Sequence, residues 1–184
     1  MMPELSLNIL DVVQNSISAK ASLIEISITG ETDSDRLTIR IADNGCGMTE
    51  EQIQNVTDPF FTSRKTRKVG LGVPFFKMAA ELTGGSFRIE SQVGKGTVTT
   101  AVFGLSSIDR MPLGNMADTM SVLVSPNPDV DFVLSMEQDG RGFVMDTRCF
   151  REILGPDIPL SSPQVLQYIE GFICENTEDC GINF

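Results

Sequence analysis

The sequence predicts an α+β fold, a two-layer α/β sandwich in which a small, mostly antiparallel sheet is covered by helices. Three observations predict it. Residues 23–29 and 36–43 alternate apolar with polar side chains on either side of the turn Gly30-Glu31-Thr32-Asp33, as the strands of a hairpin do. Residues 86–91 and 97–103 alternate in the same way about Gln92-Val93-Gly94-Lys95-Gly96. Apolar residues recur at helical spacing in residues 5–19 and again after Gly70-Leu71-Gly72.

A chain of 184 residues is long enough for one good core, or for one domain with a sizeable appendage. With 41% hydrophobic and 21% charged residues it has the composition of a globular protein rather than a disordered one. No stretch approaches the roughly 18 unbroken apolar residues of a membrane span. Met1-Met2-Pro3-Glu4 also lacks the basic-then-apolar order of a signal peptide, so a cytoplasmic location without membrane insertion is expected. Cys46, Cys149, Cys174 and Cys180 show neither CxxC metal spacing nor the density of a disulfide scaffold, and reduced thiols follow. The net charge of −11 argues against nucleic acid as a partner. Histidine is absent, which removes histidine-based acid–base catalysis, histidine metal ligands and autophosphorylation on a histidine of this chain.

In chain order, Leu5, Ile9, Val12, Val13 and Ile17 make the apolar stripe of the first helix. Asp11 and Asn15 lie one turn apart beside it. Such a pair is either a solvated polar face or a working one, in which the carboxylate orients or deprotonates a water and the amide oxygen ligates a largely hydrated Mg²⁺. The strand over residues 36–43 runs into Asp43-Asn44-Gly45-Cys46-Gly47-Met48. This is an ordinary turn signal, or else a floor where Asp43 accepts a hydrogen bond from an exocyclic amine and Gly45 and Gly47 let a flat ligand approach. Thr49-Glu50-Glu51-Gln52 is a capping box, predicting a short helix to about residue 56. Asp58-Pro59-Phe60-Phe61-Thr62-Ser63 and the basic run Arg64-Lys65-Thr66-Arg67-Lys68 follow. In an acidic chain that run is either a plain exposed loop or the seat of an anion. Gly70-Leu71-Gly72-Val73-Pro74 then enters a helix through Phe75, Phe76, Met78, Ala79 and Leu82, and free N–H groups at a glycine-rich helix start favour a phosphate. Met78 and the Phe75-Phe76 pair are expected in the core, and Cys46 is expected to be a small buried filler.

Residues 105–118 read as a linker with Pro112 and Gly114, and residues 120–124, 132–137 and 143–145 as short strands. Asp146 caps a helix to about residue 154. Ser162 and Pro163 start a last one, whose stripe is Val165, Leu166, Ile169, Phe172 and Ile173. That stripe must bury against an extended sheet within the chain, against a second copy in a homodimer, or against a partner; the first is the expectation. Residues 175–184 form an acidic tail expected to fray.

The common phosphate motifs fail. Gly94-Lys95 resembles the end of a P-loop, but the upstream glycine would fall at Ile89, and Gly96 displaces Thr97. Gly70-Leu71-Gly72 is no dinucleotide fingerprint, because the third glycine position is Phe75. The ordered set of boxes instead resembles the GHKL superfamily of gyrase, heat-shock chaperone, histidine kinase and mismatch-repair ATPases, over about residues 4–104. Asp11-x-x-x-Asn15 looks like the N box, and Asp43-x-Gly45-x-Gly47 like the first glycine box. Asp58-Pro59-Phe60-Phe61 looks like the F box and Gly70-Leu71-Gly72 like the second glycine box. Gly94-Lys95-Gly96-Thr97 is similar to the last box.

The resemblance implies a Bergerat-type ATP-binding domain over residues 1–104, followed by a linker over 105–118 and an α+β extension over 119–184. It implies ATP and Mg²⁺ as cofactors. Asn15 would hold the metal, Asp43 would read the adenine amine with Thr97 beside it, and Met48 would line the base site. Residues 58–69 would be an ATP lid carrying Phe60, Arg64 and Lys65, with Gly70, Leu71 and Gly72 closing on the phosphates. Asp11 would be the catalytic carboxylate where the family usually has glutamate, about one methylene further from a water. Only a few residues precede the first helix, with no dimerisation helix or phosphoacceptor histidine, so the expected phosphoacceptor is a partner protein in trans, as for the anti-sigma serine kinases this chain resembles. The alternatives are a nucleotide-gated protein-binding module and a slow ATPase.

Overall fold

The computed structural model describes residues 4–57, 72–155 and 157–184. Its centre is a six-stranded sheet in the order β3-β4-β2-β1-β5-β6. Strand β1 (Leu23–Glu31) pairs antiparallel with β2 (Arg36–Asp43) and parallel with β5 (Asp131–Gln138). The outer pairs, β3 (Ser86–Gln92) with β4 (Gly96–Gly104) and β5 with β6 (Arg141–Asp146), are antiparallel. The sheet is therefore mostly antiparallel, with one parallel pair.

Alternation decides which face is buried. Ile24, Ile26 and Ile28 of β1, Leu37, Ile39 and Ile41 of β2, and Phe132, Leu134 and Met136 of β5 all point one way and are buried, whereas Glu25, Arg40 and Glu137 are exposed. Register aligns the layers: Ile26 sits opposite Ile41 on one side and Leu134 on the other. The core lies between this face and helices α1 (Leu5–Ser18), α3 (Gly72–Leu82), α4 (Met116–Val124) and α6 (Pro163–Asp179). Two shorter helices, α2 (Glu50–Thr57) and α5 (Thr147–Leu154), complete the set among the described residues.

The capping box closes as expected. Gln52 N donates to Thr49 Oγ1 at 3.3 Å, while Thr49 N donates to Gln52 Oε1 at 2.8 Å. Asp146 caps α5, its carboxylate accepting from Arg148 N at 2.9 Å. The stripe of α6 buries Val165, Ile169 and Ile173, with the helix lying against α4 and β6.

Four expectations are corrected. Residues 120–124 are not a strand but the second half of α4, which starts at Met116 inside the supposed linker. Met116, Ala117, Met120, Leu123 and Val124 are buried at a spacing of three to four, and Asn115 caps the helix by accepting from Ala117 N and Asp118 N. The 175–184 tail does not fray: α6 continues to Asp179, Ile182 is buried, and Asn183 N donates to Gln138 Oε1 at 2.7 Å. Phe184 lies so close over Gly30 that a Cβ there would meet its ring. Met78 is exposed rather than in the core, although Phe76 is fully buried, and Cys46 is exposed rather than a buried filler.

The connection from β4 to α4 is tied to the N-terminus of α1. Glu4 gives no side-chain cap there, and Leu5 N and Ser6 N, which lack intrahelical partners, donate to the carbonyls of Pro112 at 3.0 Å and Leu113 at 2.8 Å. Asp35, in the β1–β2 turn, accepts from Ser106 N at 2.7 Å and Ser106 Oγ at 3.0 Å.

Candidate functional site

Asp43 is the last residue of β2, opposite Ile24 on β1 and Thr97 on β4, so the sheet itself fixes where its carboxylate begins. Ser16 Oγ of α1 donates to Asp43 Oδ2 at 2.6 Å, and Gly45 N donates to Asp43 Oδ1 at 2.9 Å. An ionised carboxylate offers about four acceptor sites, so these two donors orient it and leave capacity for a third.

The loop after Asp43 is held from both ends. Asn44 Oδ1 accepts from Ser22 N at 2.9 Å and Leu23 N at 3.0 Å, while Cys46 N donates to the Ala19 carbonyl at 2.9 Å. Met48 N donates to Ser91 Oγ at 2.8 Å, and Ser91 Oγ lies 2.9 Å from Thr97 Oγ1. The glycines of this loop serve the chain's own packing. Gly47 has φ of 67°, and a Cβ there would stand 2.0 Å from the Gln92 carbonyl oxygen; at Gly45 a Cβ would stand 2.8 Å from the Ala19 carbonyl oxygen.

Between α1, this loop, the start of α3 and strands β3 and β4 lies a cavity of about 200 Å³. Asn15, Ser16, Asp43, Thr97 and Thr99 supply its polar groups, and Val12, Met48, Val56, Val73 and Ile89 its apolar walls. An apolar slot with a few convergent polar groups is the usual form of a small-molecule site. Asn15, Asp43, Gly47, Met48 and Thr97 of the expected set come together on it, with Gly45 joined through its N–H to Asp43.

Asp11 does not line the cavity. It packs against the start of α3, where a Cβ on Gly72 would fall 2.5 Å from Asp11 Cβ and 2.6 Å from Asp11 Oδ2. Burial raises its carboxyl above the ordinary aspartate value. Phe60, Arg64, Lys65, Gly70 and Leu71, with the 58–69 lid, lie outside the described residues.

Three polar residues at the site escaped the sequence reading, Ser16, Ser91 and Thr99, the last lying two places along β4 from Thr97 and so on the same face. Ser16 follows Val12 by four and Val13 by three, so it is a polar residue on the buried side of α1, and that was its signal. Ser91 faces Thr97 across β3 and β4, which only the strand register reveals. Among the described residues no group of three or more His, Cys, Asp or Glu side chains is placed to hold a metal. Asn15 is exposed and makes no side-chain hydrogen bond to another described residue, which suits a Mg²⁺ that takes one protein oxygen and completes its shell with water and phosphate.

The helix carrying Asp11 and Asn15, the loop after β2 and the antiparallel sheet behind them define a Bergerat-type domain. Residues 3–107, more than half of the chain, match the family described as histidine kinase-, DNA gyrase B-, and HSP90-like ATPase, and the chain belongs to that family. It is similar to sporulation kinase C of Bacillus subtilis, with 34% identity over 100 residues covering 53% of this chain and 23% of that protein. It is also similar to the sensor histidine kinase ZraS of Salmonella typhimurium, with 32% identity over 93 residues covering 50% of this chain and 20% of that one. The matched stretch thus spans less than a quarter of these relatives' length. Among solved structures it is similar to the Aquifex aeolicus MutL ATPase domain complexed with ADP, at TM-score 0.45 and 15% identity, covering 84% of this chain and 70% of that chain. With a TM-score under 0.5, that likeness adds nothing to the family match.

Proposed function

We propose that this histidine-kinase-like ATPase domain binds Mg·ATP in the cavity at Asp43, in the cytoplasm, and uses it to phosphorylate or regulate a partner protein in trans. The observation that carries the reading is Asp43 itself, preset by Ser16 and Gly45 at the edge of an apolar slot with acceptor capacity to spare. An adenine amine donates into that capacity; guanine would present a carbonyl to a carboxylate there and be repelled. Asn15 is the residue that would hold Mg²⁺, which when bound neutralises phosphate charge. Asp11, one turn before Asn15, orients or deprotonates the attacking water or acceptor hydroxyl. The proposed lid over residues 58–69 supplies Arg64 and Lys65 to the phosphates, and Gly70 to Gly72 close behind them.

The position of Asp11 favours a second reading. Asp11 stands outside the cavity, packed against the start of α3, and so is poorly placed to act on a nucleotide held at Asp43. That suits slow turnover, or a nucleotide-gated binding module in which ATP changes a surface and little chemistry follows.

Calorimetry with ATP, ADP and GTP, with and without Mg²⁺, on the wild type and on Asp43→Ala of matched folded stability, tests the site. Adenine nucleotides should bind the wild type alone and GTP neither protein; failure of the wild type to bind ATP would overturn the reading. Radiolabelled phosphate appearing on a partner supports transfer, whereas nucleotide-dependent capture without label supports the gated module.

A further inference from the structure

We propose that the groove between α5 and α6 seats a basic amphipathic helix of a partner protein. The groove lies beyond residues 3–107, outside the stretch that matches the ATPase family. It encloses about 570 Å³ and is walled mainly by Phe150, Leu154, Ile158, Val165 and Tyr168. Aromatic contacts fix one wall: Phe150 meets Tyr168 edge-on with ring centroids 5.8 Å apart and Phe172 with centroids 6.0 Å apart. Ser162 Oγ, also at the groove, is buried and has no hydrogen-bond partner among the described residues.

The apolar surface extends past the cavity. Ile153 is 81% exposed, Tyr168 62% and Ile158 46%. All three line the groove, so a small ligand inside it would cover only part of each, whereas a helix laid along α5 and α6 would cover their outer faces as well, with residues repeating at i, i+3, i+4 and i+7.

Charge selects the occupant. Residues 105–184 carry thirteen Asp or Glu against four Lys or Arg, a net of −9, while residues 1–104 carry only −2. From Glu152 to the C-terminus there are six acidic residues and no basic one. Glu152 and Asp157 are exposed beside the groove, and the two arginines of α5 are already engaged, Arg148 by Asp146 and Arg151 by Asp131. A second copy would bring the same negative rim against this one, whereas Lys and Arg flanking an apolar stripe would meet complementary charge and associate faster.

The test is a displayed library of helices about 18 residues long. Apolar residues are fixed at i, i+3, i+4 and i+7, and the other positions are drawn equally from Lys, Glu and Gln. It is selected on the full chain and on Ile153→Asp and Tyr168→Ala, whose folded state is checked by circular dichroism. Lys-rich helices should be enriched on the wild type and lose about tenfold or more in affinity on either variant, read by fluorescence anisotropy. Ile153→Asp separates the causes, since its added negative charge would tighten a purely electrostatic attraction while spoiling an apolar seat. No enrichment, enrichment of Glu-rich or neutral helices, or binding that survives Ile153→Asp would each overturn the proposal. So would a dimer seen by sedimentation that Ile153→Asp dissolves, because the groove would then belong to a second copy.

Discussion

Asp43 shows how far the direction of a carboxylate can be set by its neighbours. Its carboxylate takes one donor from a helix and one from its own loop, so the third direction is chosen by elimination. Replacing Ser16 by alanine removes the helix donor and leaves the carboxylate free to turn. ATP affinity measured by calorimetry should fall about tenfold, the equivalent of ~1.4 kcal/mol, with the fold intact. Asp11 behaves in the opposite way, since burial opposes its charge. Its folded pKa is raised, so the native state binds the proton more tightly than the unfolded chain, and stability falls as pH rises from the ordinary aspartate value through the folded one. Asp11→Asn should therefore melt higher than the wild type at neutral pH, and the gap should close in acid below the ordinary carboxylate range. The same variant should still bind ATP but release no phosphate. Gly72→Ala tests the contact from the other side. The new methyl meets Asp11 Cβ as well as its carboxylate, and turning the carboxylate away does not relieve the Cβ contact, so the helices must separate, costing about 1–3 kcal/mol by urea unfolding despite alanine's better helix propensity.

At the scale of elements, local chemistry that stays local was legible in the sequence. The capping box of α2, the Asp146 cap and the strands flanking Asp43 form as the residues say. Asp146→Ala should cost about 1 kcal/mol through the lost cap. Asp146→Asn should keep most of that stability while losing the ion pair with Arg148. The hydrogen bond from the Arg148 side chain, with the cap and the charge, lowers the Asp146 carboxyl. That contribution is present above the ordinary aspartate value and is lost as pH falls through the folded one, so the wild type and Asp146→Asn should converge in strong acid. What was illegible depends on distant partners. Met120 to Val124 is a short apolar run that suits strand or helix, and only burial of Met116 and Ala117 one turn earlier makes it helical. The tail reads as frayed because nothing within it shows that Phe184 lies over Gly30 and Asn183 reaches Gln138. Cys46 reads as buried because its residue type usually is, yet the loop bonds through its backbone and leaves the thiol outside. In the candidate site Asn15, Asp43, Met48 and Thr97 were read from their own elements, while Ser16 and Thr99 on those same elements, and Ser91, whose place arises from register across two strands, were not.

At the scale of the molecule the boundary near residue 104 divides the sequence more sharply than the structure. Strand β1 pairs along one edge with β2 and along the other with β5, from Leu23 opposite Asp131 to Gly30 opposite Gln138. Removing residues 105–184 would strip that second edge. It would also uncover the α1 surface that meets α4 and take away the carbonyls of Pro112 and Leu113 that satisfy the start of α1. An unpaired apolar strand edge invites association, so residues 1–104 expressed alone should aggregate or unfold with low cooperativity. The full chain should unfold as one unit, and it carries its own reporter. It has no tryptophan and one tyrosine, Tyr168 on α6, so tyrosine fluorescence follows the extension while far-ultraviolet circular dichroism follows the whole backbone. Urea curves from the two probes should coincide. Loss of the Tyr168 signal at lower urea, with most of the circular dichroism retained, would make the extension a separate domain docked on an autonomous ATPase fold. Where the two curves coincide, ATP bound at Asp43 should shift both together, because a ligand that binds only the native state stabilises whatever unfolds cooperatively with its site.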